Sequence, residues 1–360
     1  MLSLLTLFTC LILIATLLPI SNNTHWLIRG LDFPRLQVAI LAVLLIFADL
    51  FLLDFNQPFS LLLIAISIFC VAWQLWWILP YTVLWSKEVK KANANSSQPR
   101  LRILTSNVLT SNRNSQALIS LVKTHKPDIL VTLESDQWWE NQLDVLSTDM
   151  PHAIKCPLDN LYGMHVYSRL PLSEAETCFL VEDDVPSMHA SIMLSDGTSV
   201  RAHFLHPSPP SPTENEESKE RDAELIVVAK SIDDYTKPIV VTGDLNDVAW
   251  SATTRLFRKI SGLLDPRIGR GMFNTFHAGY PLIRWPLDHL FHSDHFTVKD
   301  IQRLPSIGSD HFPLLTTLIF APQNKPLNDG IDATKEDYTQ AEKIISKESV
   351  KVSDIPNPGA

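Results

Sequence analysis

A series of polar residues stands at the ends of apolar runs, and the types suit holding a metal or a phosphate. Asn107 follows LRILTS, Glu134 follows DILVTL, His206 follows VRAHFL, and Asp244 and Asn246 follow PIVVTG. Asp288 lies inside RWPLDHLF, and Asp310-His311 stand just before FPLLTTLIF. An apolar strand delivers its terminal polar side chain to the rim of a sheet, so several such ends can meet in one cleft. Converging carboxylates need a cation. Glu134, Asp244 and Asp310, with the amide oxygens of Asn107 and Asn246, form a hard-oxygen set that suits Mg2+ or Mn2+ better than zinc. Taken singly each has a plainer reading: Asp244-Leu245-Asn246 as a capped turn, Asp310-His311 as a cap, His206 before Pro-Ser-Pro-Pro as a strand stop. It is the series that points to chemistry. Arg267, Arg270 and Arg284 precede Asp288, and Arg284, the nearest, is a candidate contact to substrate phosphate; solvated surface arginines are the plainer reading.

The elements that must position these residues are legible as short β-rich runs alternating with helical stretches. Residues 101–106, 128–133, 165–168, 189–194, 200–206, 239–242, 287–292 and 312–320 read as strands, and 115–125, 218–235 and 251–260 as helices. That alternation predicts a layered α/β domain over residues 101–320. His289, His292 and His295 are spaced by three, which on a strand points His292 away from the other two and argues against a metal cluster. Cys156 and Cys178 read as separate thiols. Residues 86–100 (SKEVKKANANSSQPR) read as a polar linker, and 321–360 as a mostly disordered tail able to form a transient helix over 334–352.

Ahead of this domain, residues 1–85 carry only five charged side chains, Arg29, Asp32, Arg35, Asp49 and Asp54. Within them, residues 2–20, 36–53 and 59–79 are each long and apolar enough to cross a bilayer, predicting a three-helix anchor. The first lacks the basic start and small-residue cleavage pattern of a signal peptide. Trp26, Trp73, Trp76, Trp77, Tyr81 and Trp85 fall near the span ends, where amphipathic rings favour the interface. Arg29 and Arg35 lie between the first two spans and Lys87, Lys90 and Lys91 follow the third, so the positive-inside rule places the domain in the cytoplasm. A net charge of −9 argues against a dedicated surface for the nucleic-acid backbone, although a local cationic site stays open. No dinucleotide fingerprint, P-loop, G-x-S-x-G or H-E-x-x-H occurs.

The same residues resemble the endonuclease/exonuclease/phosphatase superfamily of metal-dependent phosphodiesterases and phosphatases, over about residues 101–320. Asn107 in TSNV and Glu134 in VTLES are similar to its first two site residues, and YSRLPL (167–172) to its Ser-Arg-x-Pro-Leu strand end. His206 resembles its strand-end histidine. Gly243-Asp244-Leu245-Asn246 is similar to its G-D-F-N signature with Leu for Phe, Asp288-His289 to its late D-H, and Ser309-Asp310-His311 to its closing S-D-H. The anchor, with ESDQWW, YGMHVYSR and GDLNDVAWS, resembles the bacterial YafD-type membrane-anchored branch, which implies a bacterial inner membrane.

The resemblance implies a four-layered α/β sandwich, two packed sheets flanked by helices, with the site along one sheet edge. It implies Mg2+ (or Mn2+) on Glu134 with Asn107 and Asp310 nearby. His311, oriented by Asp288, would donate to a phosphoryl oxygen or act as base; Asp244, fixed beside Asn246, would alternatively orient and deprotonate water. His206 would bind a phosphate oxygen or assist the leaving group, and Asn107, Asn246 and Arg284 would contact substrate. The leading reading is a membrane-anchored metal-dependent phosphoesterase acting on nucleic acid, a phospholipid head group or a small phosphate ester. The alternative is a membrane assembly or sensing protein that keeps the fold without chemistry.

Overall fold

Segments that are apolar all round cannot present a polar face to water, and the first three such segments fold as helices long enough to cross a membrane, spanning Leu2–Ile20, Arg35–Leu52 and Pro58–Tyr81. They contain α1 (Leu2–Leu17), α3 (Arg35–Leu52) and α4 (Pro58–Ile78), with the short α2 (Trp26–Arg29) between the first two spans. A polar chain ties the three together. Gln74 Nε2 donates to Thr16 Oγ1 at 3.1 Å, Arg35 Nη1 donates to Gln74 Oε1 at 3.2 Å, and Arg35 pairs with Asp32. Polar side chains between apolar helices hold them in register because their apolar neighbours offer no other partner. The computed structural model describes residues 1–93, 98–323 and 330–358.

The remainder forms two sheets. Six strands, β1 (Arg100–Asn107), β2 (Ile129–Leu133), β3 (His152–Cys156), β4 (Met164–Ser168), β10 (Phe296–Arg303) and β11 (Leu314–Phe320), pair in the order β10-β11-β1-β2-β4-β3. Five, β5 (Leu172–Phe179), β6 (Pro186–Met193), β7 (Ser199–Leu205), β8 (Ile239–Asp244) and β9 (Asp288–His292), pair in the order β5-β6-β7-β8-β9. Each sheet has one parallel pair at its centre, β1 with β2 and β7 with β8, flanked by antiparallel neighbours. Ile103, Val131, Val166, Phe204, Val240 and Leu318 fill the space between the sheets. Helices α5 (Ser115–His125) and α6 (Gln137–Leu143) cover the first sheet, packing Leu118, Val122 and Trp139 on Leu104 and Leu130. Helices α7 (Lys219–Ser231) and α8 (Ala252–Ser261) cover the second. This is the four-layered sandwich the sequence implied. Because α5 and α6 cover one face of the first sheet and the second sheet covers the other, β2 is buried at every position and reads as a continuous apolar run.

Three strands escaped the sequence reading: β3, β5 and β10. Each is the edge of a sheet or next to one open face, and β5 (LSEAETCF) is exposed or half-exposed throughout. Edge strands carry charged residues that discourage further pairing, which hides them among loops.

The expectation of a disordered tail is corrected over 330–358. Helix α9 (Lys335–Ile345) opens with a Thr334–Asp337 capping box, and Lys259 Nζ reaches Asp337 at 2.8 Å. Ala341, Ile345, Val350 and Ile355 join the core beside α7 and α8, and Arg201 donates to Asn357 Oδ1 at 2.7 Å and the Pro356 carbonyl at 3.0 Å. Few apolar residues suffice when they share one helical face and dock on an apolar surface that already exists. The polar linker is corrected in part. Val298 N donates to Lys90 O and Ala92 N to Val298 O, so residues 90–92 run along the free edge of β10, while Glu88 is buried against Arg258. Residues 94–97 of that segment lie outside the described residues.

Candidate active site

The parallel pairs decide where the chemistry goes, because parallel strands end on the same side. Asn107 terminates β1, Glu134 follows β2, His206 follows β7 and Asp244 terminates β8. The two sheets meet near these ends, with Thr105 and Thr242 hydroxyls 2.9 Å apart. Antiparallel β9 begins opposite the end of β8, which sets Asp288 beside Asp244 in register. Asp310-His311 arrive just ahead of β11, which runs antiparallel to β1.

Close packing and bent backbone shape this edge. A Cβ on Gly243 would stand 1.8 Å from the Leu205 carbonyl oxygen, so the position ahead of Asp244 admits only glycine. Glu134 and Asn246 take left-handed backbone (φ 56° and 49°), a conformation unfavourable for a side chain such as Glu and common where function fixes geometry. Behind Glu134, Ser135 N donates to Gly163 O at 2.8 Å, and Ser135 Oγ lies 2.6 Å from His165 Nδ1.

Asn107 Nδ2 donates to Glu134 Oε1 at 2.7 Å and to Asp244 Oδ2 at 3.2 Å, bridging the sheets. Asn246 N donates to Asp244 Oδ1 at 3.0 Å, and Asn246 Nδ2 to the Pro207 carbonyl at 2.9 Å, next to His206. His311 Nδ1 lies 2.8 Å from Asp288 Oδ2 and Nε2 lies 3.3 Å from Asp244 Oδ2. Burial alone would depress the His311 imidazole. The carboxylates of Asp244 and Asp288 reverse this and hold it up at about 10, so it stands as an imidazolium donating to both acids. His206 goes the other way: burial, against the attraction of Asp244, lowers it to about 4 and keeps it neutral, with Nδ1 buried and without a hydrogen-bond partner.

Burial is also the main force on Glu134, pushed up to about 7 against the opposing pull of Asn107 and His311, with Asp310 and Asp244 adding to the rise. Its Oε2 is buried without a partner. A buried carboxylate oxygen lacking a partner among like charges fits a hard divalent cation. The donor set of Glu134, Asn107 and Asp310 therefore suits Mg2+ or Mn2+. Asp244, Asp288 and His311 also present ligand atoms within 4.8 Å of one another, but both ring nitrogens of His311 face carboxylates, an arrangement for sharing protons.

The acids, amides and histidines expected from sequence fall along one edge, whereas the three arginines are committed to backbone carbonyls or to an acid. Arg284 donates to the carbonyls of His277 at 3.3 Å and Ala278 at 3.0 Å and lies over Phe312. Arg267 is buried against Asp265, and Arg270 donates to the carbonyls of Pro266 and Val89. Such backbone and ion-pair commitments are invisible to spacing. His289 bonds Arg267 and the Asp247 carbonyl, whereas His292 faces Ser293, so the histidine triplet is no cluster. Two aromatics were missed. The Tyr162 ring packs 5.4 Å from His206, and Phe276 packs 4.9 Å from His311. Tyr162 belongs to the YGMHVYSR run noted in the sequence; Phe276 had no local signal.

The model of the endonuclease/exonuclease/phosphatase family matches residues 104–311. The chain belongs to that family. Its fold is similar to TDP2 of D. rerio complexed with a single-strand DNA product, at 16% identity and TM-score 0.50, covering 61% of this chain and 98% of that one. It is similar to the human Nocturnin catalytic domain with bound sulfate, also at 16% and 0.50, covering 62% and 96%. A functionally unknown conserved protein of Enterococcus faecalis V583 gives 16% and 0.50, covering 61% and 100%. No curated protein sequence matches the chain. Members of the family are phosphoesterases and nucleases, generally with divalent metals.

Proposed function

We propose that the protein is a membrane-anchored, divalent-metal-dependent phosphoesterase, with the domain on the cytoplasmic face of a bacterial inner membrane. The observation that carries this reading is the convergence of Glu134, Asp244, Asp288, Asp310 and His311 on one sheet edge, with Glu134 Oε2 buried and unpartnered. Glu134, Asn107 and Asp310 would hold Mg2+ or Mn2+, which when bound neutralises charge developing on phosphate oxygens.

The chain's own groups divide the remaining work. Asp244, oriented by the Asn246 amide N–H and bonded by Asn107, accepts the proton of the attacking water. His311, charged and aligned by Asp288 through Nδ1, would with substrate bound turn its Nε2–H from Asp244 toward a phosphoryl oxygen. Neutral His206 offers a ring N–H to a second phosphate oxygen or the leaving group, and Asn246 holds the segment that follows it. Orientation of the domain rests on Arg29, Arg35, Lys87, Lys90 and Lys91, all on the domain side of the spans. The YafD-type branch is the part of the family this architecture resembles.

The test uses the full chain in detergent with a chromogenic phosphodiester and added Mg2+ or Mn2+. Glu134→Gln, Asp244→Asn and His311→Ala should each lower turnover by about a hundredfold or more while the thermal midpoint is kept. Retained turnover in all three overturns the mechanism. Absence of metal binding by calorimetry, with a folded protein, supports the assembly or sensing reading instead.

A further inference from the structure

The membrane segment does more than tether. The connection between the first two spans lies against the domain: Trp26 N donates to Glu216 O at 2.9 Å, Ser218 N to Thr24 O at 2.8 Å, and Trp250 Nε1 to Asp32 O at 2.8 Å. Between that connection and the catalytic edge is a cavity of about 500 Å³, inside the range of roughly 300–1,000 Å³ typical of ligand sites. Its walls are almost wholly apolar and come from three places. Trp26, Phe33 and Pro34 come from the span connection, Pro210 from the segment after His206, and Ile283 and Trp285 from the hairpin over residues 276–285.

The cavity is linked to the chemistry on one side and to the bilayer on the other. Trp285 stacks on Phe276 at 6.3 Å, and Phe276 packs on His311 at 4.9 Å. Pro210 is four residues beyond His206. On the opposite side, Gln37, in the first turn of the second span, donates to the Leu282 carbonyl at 3.0 Å. The hairpin tip is therefore at the level where the helix enters hydrocarbon, and its side chains suit that place: Leu282 is 85% exposed, with Tyr280 and Ile283 also exposed. Apolar side chains offered to solvent beside a span end belong in the headgroup and acyl boundary.

We propose that the substrate is a phosphate ester resident in the bilayer, whose apolar tail lies in the cavity between the span connection and the 276–285 hairpin while its phosphate reaches His311, Asp244 and Glu134. This rests on the phosphoesterase reading above and names its substrate class. Water adds to phosphorus and gives one proton to Asp244, the bond from phosphorus to the leaving oxygen breaks, and the leaving oxygen takes up one proton to depart as an alcohol, so that one water is consumed with no net gain or loss of protons. A polyanionic strand is a poorer occupant, because the walls are apolar and the chain is net −9.

Two measurements on the full chain test it. The first compares methyl, butyl and octyl p-nitrophenyl phosphates below their micellar concentrations, where kcat/KM should rise by roughly fourfold per added methylene that enters the cavity. Ile283→Glu should flatten that rise. The second reconstitutes the chain in phosphatidylcholine nanodiscs containing a diazirine-tailed phosphatidylcholine. Label is expected on residues 26–37 and 283–285, and Ile283→Glu should remove it there while label on exposed Leu7 of the first span persists. A flat alkyl series in an active enzyme, with no label on those segments, overturns the tail site and leaves the phosphoesterase reading intact. Faster turnover of single-stranded DNA than of any alkyl ester overturns the substrate class. Label in place with no turnover of any ester overturns the phosphoesterase reading, and the substrate assignment with it.

Discussion

At the candidate site, Glu134, Asp244, Asp288 and Asp310 gather around the charged His311, and Glu134 Oε2, Asp288 Oδ1 and His206 Nδ1 are buried without partners. Beyond the N-terminal helices a second buried cluster, Glu88, Arg258, Asp265 and Arg267, is balanced in charge. Arg258 pairs with Glu88, whose Oε1 accepts from Asp265 N at 2.8 Å. Asp265 accepts from Arg267 Nε at 2.9 Å and Nη2 at 2.8 Å, and although burial would raise its pKa, the Arg267 guanidinium holds it below the ordinary value. Both clusters give up hydration; the second recovers most of it within the chain, with Arg258 Nε left unpartnered, whereas the first leaves Glu134 Oε2, Asp288 Oδ1 and His206 Nδ1 open. Balanced buried charge serves shape, whereas surplus acid with open valences is arranged for something that binds.

This contrast is broken most sharply by removing one carboxylate from each cluster. Asp244→Asn should cost turnover by about a thousandfold while leaving the thermal midpoint little changed, since the burial that disfavours the Asp244 charge outweighs the His311 attraction that is lost. Asp265→Ala should do the reverse, costing about 3–5 kcal/mol of stability because Arg267 is left buried and unpaired, with turnover per folded molecule little changed. Chemical denaturation and initial rates on the same preparations separate the two. Equal losses of stability in both variants would abolish the distinction.

Cation binding sharpens it next. Saturating Mg2+ or Mn2+ at a hundred times its dissociation constant should raise stability by about 2.7 kcal/mol. Glu134→Gln should remove most of that gain, and Asp265→Asn should keep it in whatever protein stays folded. Differential scanning fluorimetry with and without metal reads the outcome.

Acid should weaken the scaffold through a third set of groups. Burial holds His189 at about 3, His289 at about 3, and His165 and His292 at about 4, below the ordinary histidine value. Each is neutral in the folded chain and titrates normally when unfolded. Their contribution is therefore complete above about pH 6.5 and is lost as pH falls toward 4. The thermal midpoint should decline across that window, and His189→Asn should make the decline shallower. The smallest effect is expected at the tail. Lys259→Ala breaks a partly exposed pair with Asp337 and should cost no more than about 1 kcal/mol.

Much of the architecture was written in local pattern. The continuous apolar runs of β2 and β8, the Ser115–His125 helix and the three long apolar helices were recognisable because each sheet is covered by helices on one face and by the other sheet on the other, and because the N-terminal helices are apolar over lengths able to cross a membrane. Edge strands β3, β5 and β10 were not, since half their side chains meet water. The tail was misread because Ala341 and Ile345 are too few to alter composition yet share one face.

The site divides along the same line. Residue types at strand ends determined that acids, amides and histidines would gather at a sheet rim and that a hard cation would suit them. Tertiary structure alone decided that both nitrogens of His311 are held between Asp288 and Asp244, that Arg284 binds backbone carbonyls, and that Phe276 and Trp285 link the site to Phe33 of the span connection. The physical reason is range. Strand period, apolar length and turn chemistry act over a few neighbours, whereas charge balance and cavity shape come from groups brought together by packing from distant parts of the chain.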